Sequence, residues 1–302
     1  MTNMQVPIFA SPENLKVIGA MIGPSHRDPM KLEEVLPWEQ GIDRSKPPKL
    51  PEASWLYGTP YWDQLTEAQR LEVLWLENAR DVSNFITLEQ YLPPIYMGYL
   101  AAFGQTLAPE IEEYMMIFSK EEIIHTMMFR RYMEQAGLPS FVVPPRAGYD
   151  PVFYKLEHEI RTTPPIFGVL WTVLLEWSAE LNAMHGTQSD GIDPFTRKMF
   201  RQHHIDEVRH IAFGQRIVED FFKVRPDSEL DPMRALLKPA LVDIFEEFKF
   251  TEQICDLTSF KFPFDKNDTA AIASVRNSEN NTRLHHERFK EMTTWLEKLG
   301  LA

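Results

Sequence analysis

Two pairs, Glu122-x-x-His125 and Glu207-x-x-His210, with a further histidine at His203, are the residues whose types and spacing point to chemistry. One Glu-x-x-His arises by chance about once in a chain of this length, so a single pair carries little weight. Two pairs, each inside a long helical pattern, are what a carboxylate-bridged di-metal centre among four helices requires. Residues three apart share a helical stripe, so each carboxylate and imidazole can reach one inward point. His203, Glu207 and His210 follow i, i+4, i+7 and share one face, whereas His204 points about 100° away and is expected at the surface or between helices. The plain alternative for His203 is a satisfied core histidine, but its place on the stripe favours ligation. Hard carboxylates and borderline imidazoles without thiolates suit iron cycling between its +2 and +3 states near oxygen, so two Fe ions are the expected cofactor.

Four helices must carry these groups. Helix A is expected from about Glu67 to Glu89, and helix B from near Pro109 to Glu134, stopped by Gly137 and Pro139. Helix C starts on Thr163 as N-cap with Pro164 at the first helical position and reaches about Met184. Helix D starts on Asp193-Pro194 and runs to about Phe222. Asp231-Pro232 repeats that grammar and opens a further helix, broken at Pro239 and resumed to about Leu257; a last helix spans about Asn281 to Leu299. Strand-type alternation is scarce, so the chain is expected to be all-α. Residues 1–61 are broken by prolines and read as an irregular arm with short helices wrapped on the bundle, 66–222 as the four-helix core, and 223–302 as accessory helices of one domain.

Each Glu-x-x-His helix needs one more carboxylate from its antiparallel neighbour. Reflection about a turn near Gly104 to Thr106 places Glu122 opposite Glu89, and reflection about Gly191 places Glu207 opposite Glu176. The spans, 33 and 31 residues, are alike. Glu180, one turn along the same stripe, competes with Glu176. Pro93 and Pro94 are expected to kink or interrupt helix A beyond Glu89, with Glu77 as the fallback there. The acids before each Glu, Glu121 and Asp206, are candidates to accept the outer N–H of the metal-bound imidazoles, Asp206 serving His125 and Glu121 serving His210. Their alternative is an ion pair, for instance with Arg209.

Gly168, Thr172 and Glu176 form a stripe on helix C, and Gly214 lies at nearly the level of Gly168 on helix D. Glycine inside a helix costs about 0.5–1 kcal/mol relative to alanine, so two at one level suggest that something needs the room. The readings are a substrate pocket at Gly168, Thr172 and Gly214, or close packing of the helix backbones. Phe118, Phe129, Met127 and Met128 read as core lining, and His285-His286 with Glu287 as solvated surface.

A net charge of −13 argues against nucleic acid or an anionic membrane as partner. No apolar run spans a bilayer and no signal peptide is evident, and the lone Cys255 forms no intrachain disulfide, so a cytoplasmic protein is expected.

These residues, with the segment Tyr57 to Arg70 leading into helix A, resemble the p-aminobenzoate N-oxygenase family of non-haem di-iron enzymes. That family's ligand order, Glu, Glu-x-x-His, Glu, His-x-x-x-Glu-x-x-His, falls on Glu89, Glu122, His125, Glu176, His203, Glu207 and His210. The resemblance covers Tyr57 to Phe222, and its most specific element is the stripe from His203 to His210, since ferritins and ribonucleotide reductase small subunits share only the two pairs. It implies a ferritin-like four-helix bundle and an enzyme that uses O2 and an external electron donor to oxidise an arylamine through hydroxylamine and nitroso stages to a nitro compound, by way of a peroxo-diferric oxidant. A homodimer is implied only by the resemblance. Two other readings compete: a di-iron hydroxylase or desaturase acting on carbon, and a ferritin-like iron-binding protein, which the more than 100 residues outside the core disfavour.

Overall fold

The computed structural model describes residues 8–142, 165–224 and 227–301. Its centre is two helical hairpins. The first pairs a helix of 37 residues, α4 (Glu67–Phe103), with α5 (Pro109–Ala136), across a 3-10 turn at Gly104–Thr106. The second pairs α6 (Pro165–Thr187) with α7 (Pro194–Val224). Helices α1 (Pro12–Arg27), α2 (Leu32–Val35) and α3 (Pro60–Asp63) precede them, and α8 (Asp227–Glu247), α9 (Gln253–Leu257), α10 (Thr269–Arg276) and α11 (Glu279–Lys298) follow. No strand occurs among the described residues, and none of their helices is long and apolar enough to cross a membrane.

Local chemistry sets the ends of the bundle helices. Thr66 and Gln69 form a reciprocal capping box on α4, with Thr66 N–H donating to Gln69 Oε1 at 2.9 Å. At the end of α5, Gly137 takes the left-handed conformation (φ 60°) and Leu138 N–H returns to the Met133 carbonyl at 3.0 Å, which closes the helix. Asp193 accepts from the Thr196 N–H at 2.7 Å ahead of Pro194 and so starts α7. From Pro165 to Glu176 every residue of α6 is buried, as expected of the central helix of a bundle. The proposed cap of that helix, Thr163-Pro164, lies outside the described residues.

Three sequence expectations need correction. Helix α4 continues through Pro93 and Pro94 to Phe103 rather than ending near Glu89. Each proline removes a backbone bond and costs about 3 kcal/mol, but Leu92, Ile95, Tyr96 and Tyr99 beyond Glu89 are all buried. At about 1.5–3 kcal/mol each, their burial outweighs that cost. Helix α8 runs unbroken from Asp227 to Glu247, so Asp231-Pro232 is not its start and Pro239 does not end it. The arm is less irregular than expected: α1 is a helix of 16 residues, capped by Ser11 with Pro12 in its first turn, and it lies on α5 and the end of α7. Asp220 on α7 ties it down, accepting from Ser11 N–H at 2.7 Å and Asn14 Nδ2 at 2.6 Å.

The apolar core forms two clusters. One holds Tyr96, Phe118, Trp171 and Phe213; the other holds Trp75, Phe85, Phe129 and Phe200. Between them lies a polar layer, and its residues are those singled out by spacing.

Candidate metal centre

Seven side chains converge there in two overlapping groups. Donor atoms of Glu89, His125, His203 and Glu207 lie within 4.8 Å of one another, as do those of Glu122, Glu176, Glu207 and His210. All are buried, and Glu207 belongs to both groups. One carboxylate comes from α4, a Glu-x-x-His pair from α5, one carboxylate from α6, and the three-residue stripe from α7. Glu180 is outside the groups: its Oε2 meets His204 Nδ1 at 2.6 Å. Glu77 is also occupied elsewhere, against Lys49 at 3.1 Å and the Ser54 hydroxyl at 2.9 Å.

The imidazoles are oriented from behind. His125 Nε2 meets Asp206 Oδ2 at 3.1 Å, and His210 Nε2 meets Glu121 Oε2 at 2.9 Å, each acid serving the histidine of the opposite hairpin. With Nε2 bound outward, Nδ1 faces the cluster: His125 Nδ1 lies 3.2 Å from Glu207 Oε1, and His210 Nδ1 lies 2.8 Å from Glu122 Oε1. His203 differs, presenting Nε2 inward to Glu89 at 2.8 Å and Glu207 at 3.0 Å. Phe85 stacks on His203, with ring centres 5.8 Å apart, and Phe118 packs against His210 at 4.3 Å, so aromatic rings wall the layer.

Charge in this layer is unbalanced in the metal-free chain. Burial pushes the Glu122 and Glu176 carboxyls above their ordinary values, and neighbouring carboxylates push them further. Burial likewise lifts Glu89 to about 7, against the pull of His203. Burial opposes charge on His203 too, yet Glu207 and Glu89 raise it to about 10. Glu207 goes the other way: burial would raise it, but His203 and His210 hold it well below the usual carboxylate range. Both oxygens of Glu122 and of Glu207, Glu89 Oε2, Glu176 Oε1 and the Nδ1 atoms of His125 and His210 are buried without a hydrogen-bond partner. Unpaired buried polar atoms cost free energy singly, and eight in one layer are donor atoms that bound cations would satisfy. Two divalent ions would balance the four carboxylates and leave the imidazoles neutral, so the donor set fits a metal pair.

Around this layer the sequence reading fares unevenly. At Gly168, Thr172 and Gly214 the described side chains leave no open room. A Cβ on Gly168 would collide with the Tyr99 hydroxyl, one on Gly214 with the Val173 side chain, and Thr172 turns its hydroxyl to the Gly168 carbonyl at 2.9 Å. Close packing of α6 against α4 and α7 takes the room instead. Met127 is exposed rather than core, because it faces outward from α5, while Phe118, Met128 and Phe129 are buried. His285, read as solvated, packs between Phe245 and Phe289 on the wall of a cavity of about 660 Å³. Lys49, Lys249, Arg276 and Arg288 also face this cavity, and among its described lining residues Asp81 is the one acid. Sequence reasoning missed this cationic, aromatic chamber, whose walls come from the arm, α4, α6, α8 and the last helix.

A four-helix bundle that gathers four glutamates and three histidines into two adjoining ligand groups belongs to the di-metal carboxylate proteins of ferritin-like fold. A family model described as p-aminobenzoate N-oxygenase AurF matches residues 14–300, and the chain belongs to that family. It is an oxidoreductase, a non-haem di-metal oxygenase. Solved structures share the fold. The chain is similar to an R2-like ligand-binding oxidase with aerobically reconstituted Mn/Fe cofactor (16% identity, TM-score 0.54, 93% of this chain and 91% of that one). It is also similar to a variant of that oxidase with non-activated Mn/Mn cofactor (15%, 0.55, 97% and 94%). Among curated proteins, none matches the sequence.

Proposed function

We propose that this protein holds two irons on Glu89, Glu122, His125, Glu176, His203, Glu207 and His210, and uses O2 to oxidise an arylamine through hydroxylamine and nitroso stages to a nitro product. The observation that carries the reading is the convergence of all seven side chains, His203 included, in one buried layer of a chain of this family. Bound irons would supply oxygen activation and redox change. The chain's own residues supply the rest. Asp206 and Glu121 hold the His125 and His210 rings with Nδ1 inward. Phe85, Phe118 and Phe129 exclude water from the layer. The chamber beside α6, with Arg288 over the Phe248 ring at 4.2 Å, suits an aromatic substrate with an anionic group. Electrons come from an external reductase, in keeping with the single cysteine, which cannot hold an iron–sulfur cluster. A homodimer in a reducing, cytoplasmic setting completes the proposal.

The test is single turnover under 18O2 with chain loaded with two ferrous ions and a panel of arylamines and alkylamines. Labelled oxygen on nitrogen, with loss of N–H, supports the reading. Label on carbon moves the assignment to a hydroxylase, and uptake of many irons per chain without product moves it to iron storage. Metal analysis of protein expressed with both iron and manganese decides between a di-iron centre and the Mn/Fe pair named for the structural neighbours.

A further inference from the structure

Arg209 lies behind the ligand layer, between Glu207 and His210 in sequence, and has no part in the site as described so far. Its Nη2 donates to Glu121 Oε1 at 3.4 Å and also to Asp206 Oδ1. These are the two acids that orient the imidazoles, and each divides its oxygens in the same way. Glu121 gives Oε2 to His210 and Oε1 to Arg209; Asp206 gives Oδ2 to His125 and Oδ1 to Arg209. His125 belongs to the group with Glu89 and His203, and His210 to the group with Glu122 and Glu176. One guanidinium therefore reaches one imidazole in each group through a single carboxylate.

We propose that Arg209 is a positioning residue that fixes the imidazole ligands of both metal positions at once. The inference rests on the di-metal reading of the layer. Two carboxylates drawn to one nitrogen repel each other without the cation between them, and each is then free to turn from its imidazole. A guanidinium is suited to the task because its donors are held in a rigid planar fork and it stays charged. The Arg209 side chain is only 18% exposed, and Glu121 is fully buried, so the contact is not a solvated surface pair of negligible worth. His203, which turns Nε2 inward to Glu89 and Glu207, stands apart from this arrangement.

The experiment is a Co(II) titration of the metal-free full chain, read by visible absorption, with thermal unfolding of each metal-free variant alongside. Wild-type chain takes two Co(II). Asp206→Asn weakens one site by about 10–100-fold and Glu121→Gln weakens the other, the range typical for lost partners of metal-bound imidazoles. Arg209→Gln weakens both sites about tenfold or more. Arg209→Lys, with a point charge in place of the fork, recovers part of that loss. If Arg209→Gln binds both ions as wild type does, or lowers the unfolding temperature while leaving both affinities intact, the inference is overturned. A wild-type chain that fails to take two ions refutes the di-metal reading itself, which is a separate result.

Discussion

Gly214→Ala separates helix packing from ligand space at the layer above the metal centre. The added Cβ would meet Val173 on α6, a residue 1% exposed. Helix propensity favours alanine by about 0.5–1 kcal/mol, while forcing a methyl into a filled core costs about 1–3 kcal/mol. The net expectation is a loss of about 1–2 kcal/mol. Val173→Ala alone removes buried methyl groups and costs about 2 kcal/mol. In the double variant the new methyl occupies space the valine gave up, so the two losses should fall short of their sum by about 1–2 kcal/mol, the coupling expected for residues in contact. Urea unfolding of the metal-free chain measures all four corners of this cycle without a metal contribution. A Gly214→Ala variant more stable than wild type, by the helix gain alone, would refute the packing argument and restore the glycine pair as open space.

Two further outcomes follow from the site. Glu176→Gln should leave a chain that holds one metal ion, and Glu180→Gln a chain that holds two, because Glu180 is turned to His204 rather than into the layer; metal analysis after gel filtration decides. Metal uptake should tighten from pH 6 to pH 9, by up to about tenfold per pH unit for each proton released. The sign follows from two raised values. His203 at about 10 favours the folded metal-free chain fully below 6.5, and that contribution is lost as pH rises through about 10. Glu89 at about 7 is favoured in its protonated form, so its contribution is lost as pH rises from 4.5 through 7. Metals need both groups proton-free, so they gain over the window in which the metal-free fold loses; affinity that is flat with pH would sink this account.

What the sequence could reveal was set by how local the cause is. Caps at Thr66 and Asp193 and the stop at Gly137 are written in two to four adjacent residues, and the structure has helix ends there. Glu89 and Glu176 meet the pairs because a hairpin with a short turn fixes which residues face each other, so reflection about Gly104 and Gly191 sufficed. The passage of α4 through Pro93-Pro94 was not legible, since the burial that holds the helix together comes from partners on other helices. Arg209 looked like one choice between two roles for its acids, whereas each carboxylate has two oxygens and takes both roles. The cationic chamber was the least visible, with Lys49 and Arg288 brought together from opposite ends of the chain.

The third imidazole is the feature with the clearest physical logic. Four carboxylates would balance two divalent ions, and the layer they line is buried and walled by Phe85, Phe118 and Phe129. In such a setting an unbalanced charge is expensive, because water is not there to screen it. A fifth carboxylate at position 203 would add a donor at the cost of one uncompensated negative charge. On the proposed reading, His203 would add a neutral donor and no charge. Its orientation fits the same logic: with Nε2 inward it reaches across to Glu89 on α4 as well as to Glu207 on its own helix. The stripe from His203 to His210 can therefore enrich the centre in nitrogen donors while leaving its neutrality intact.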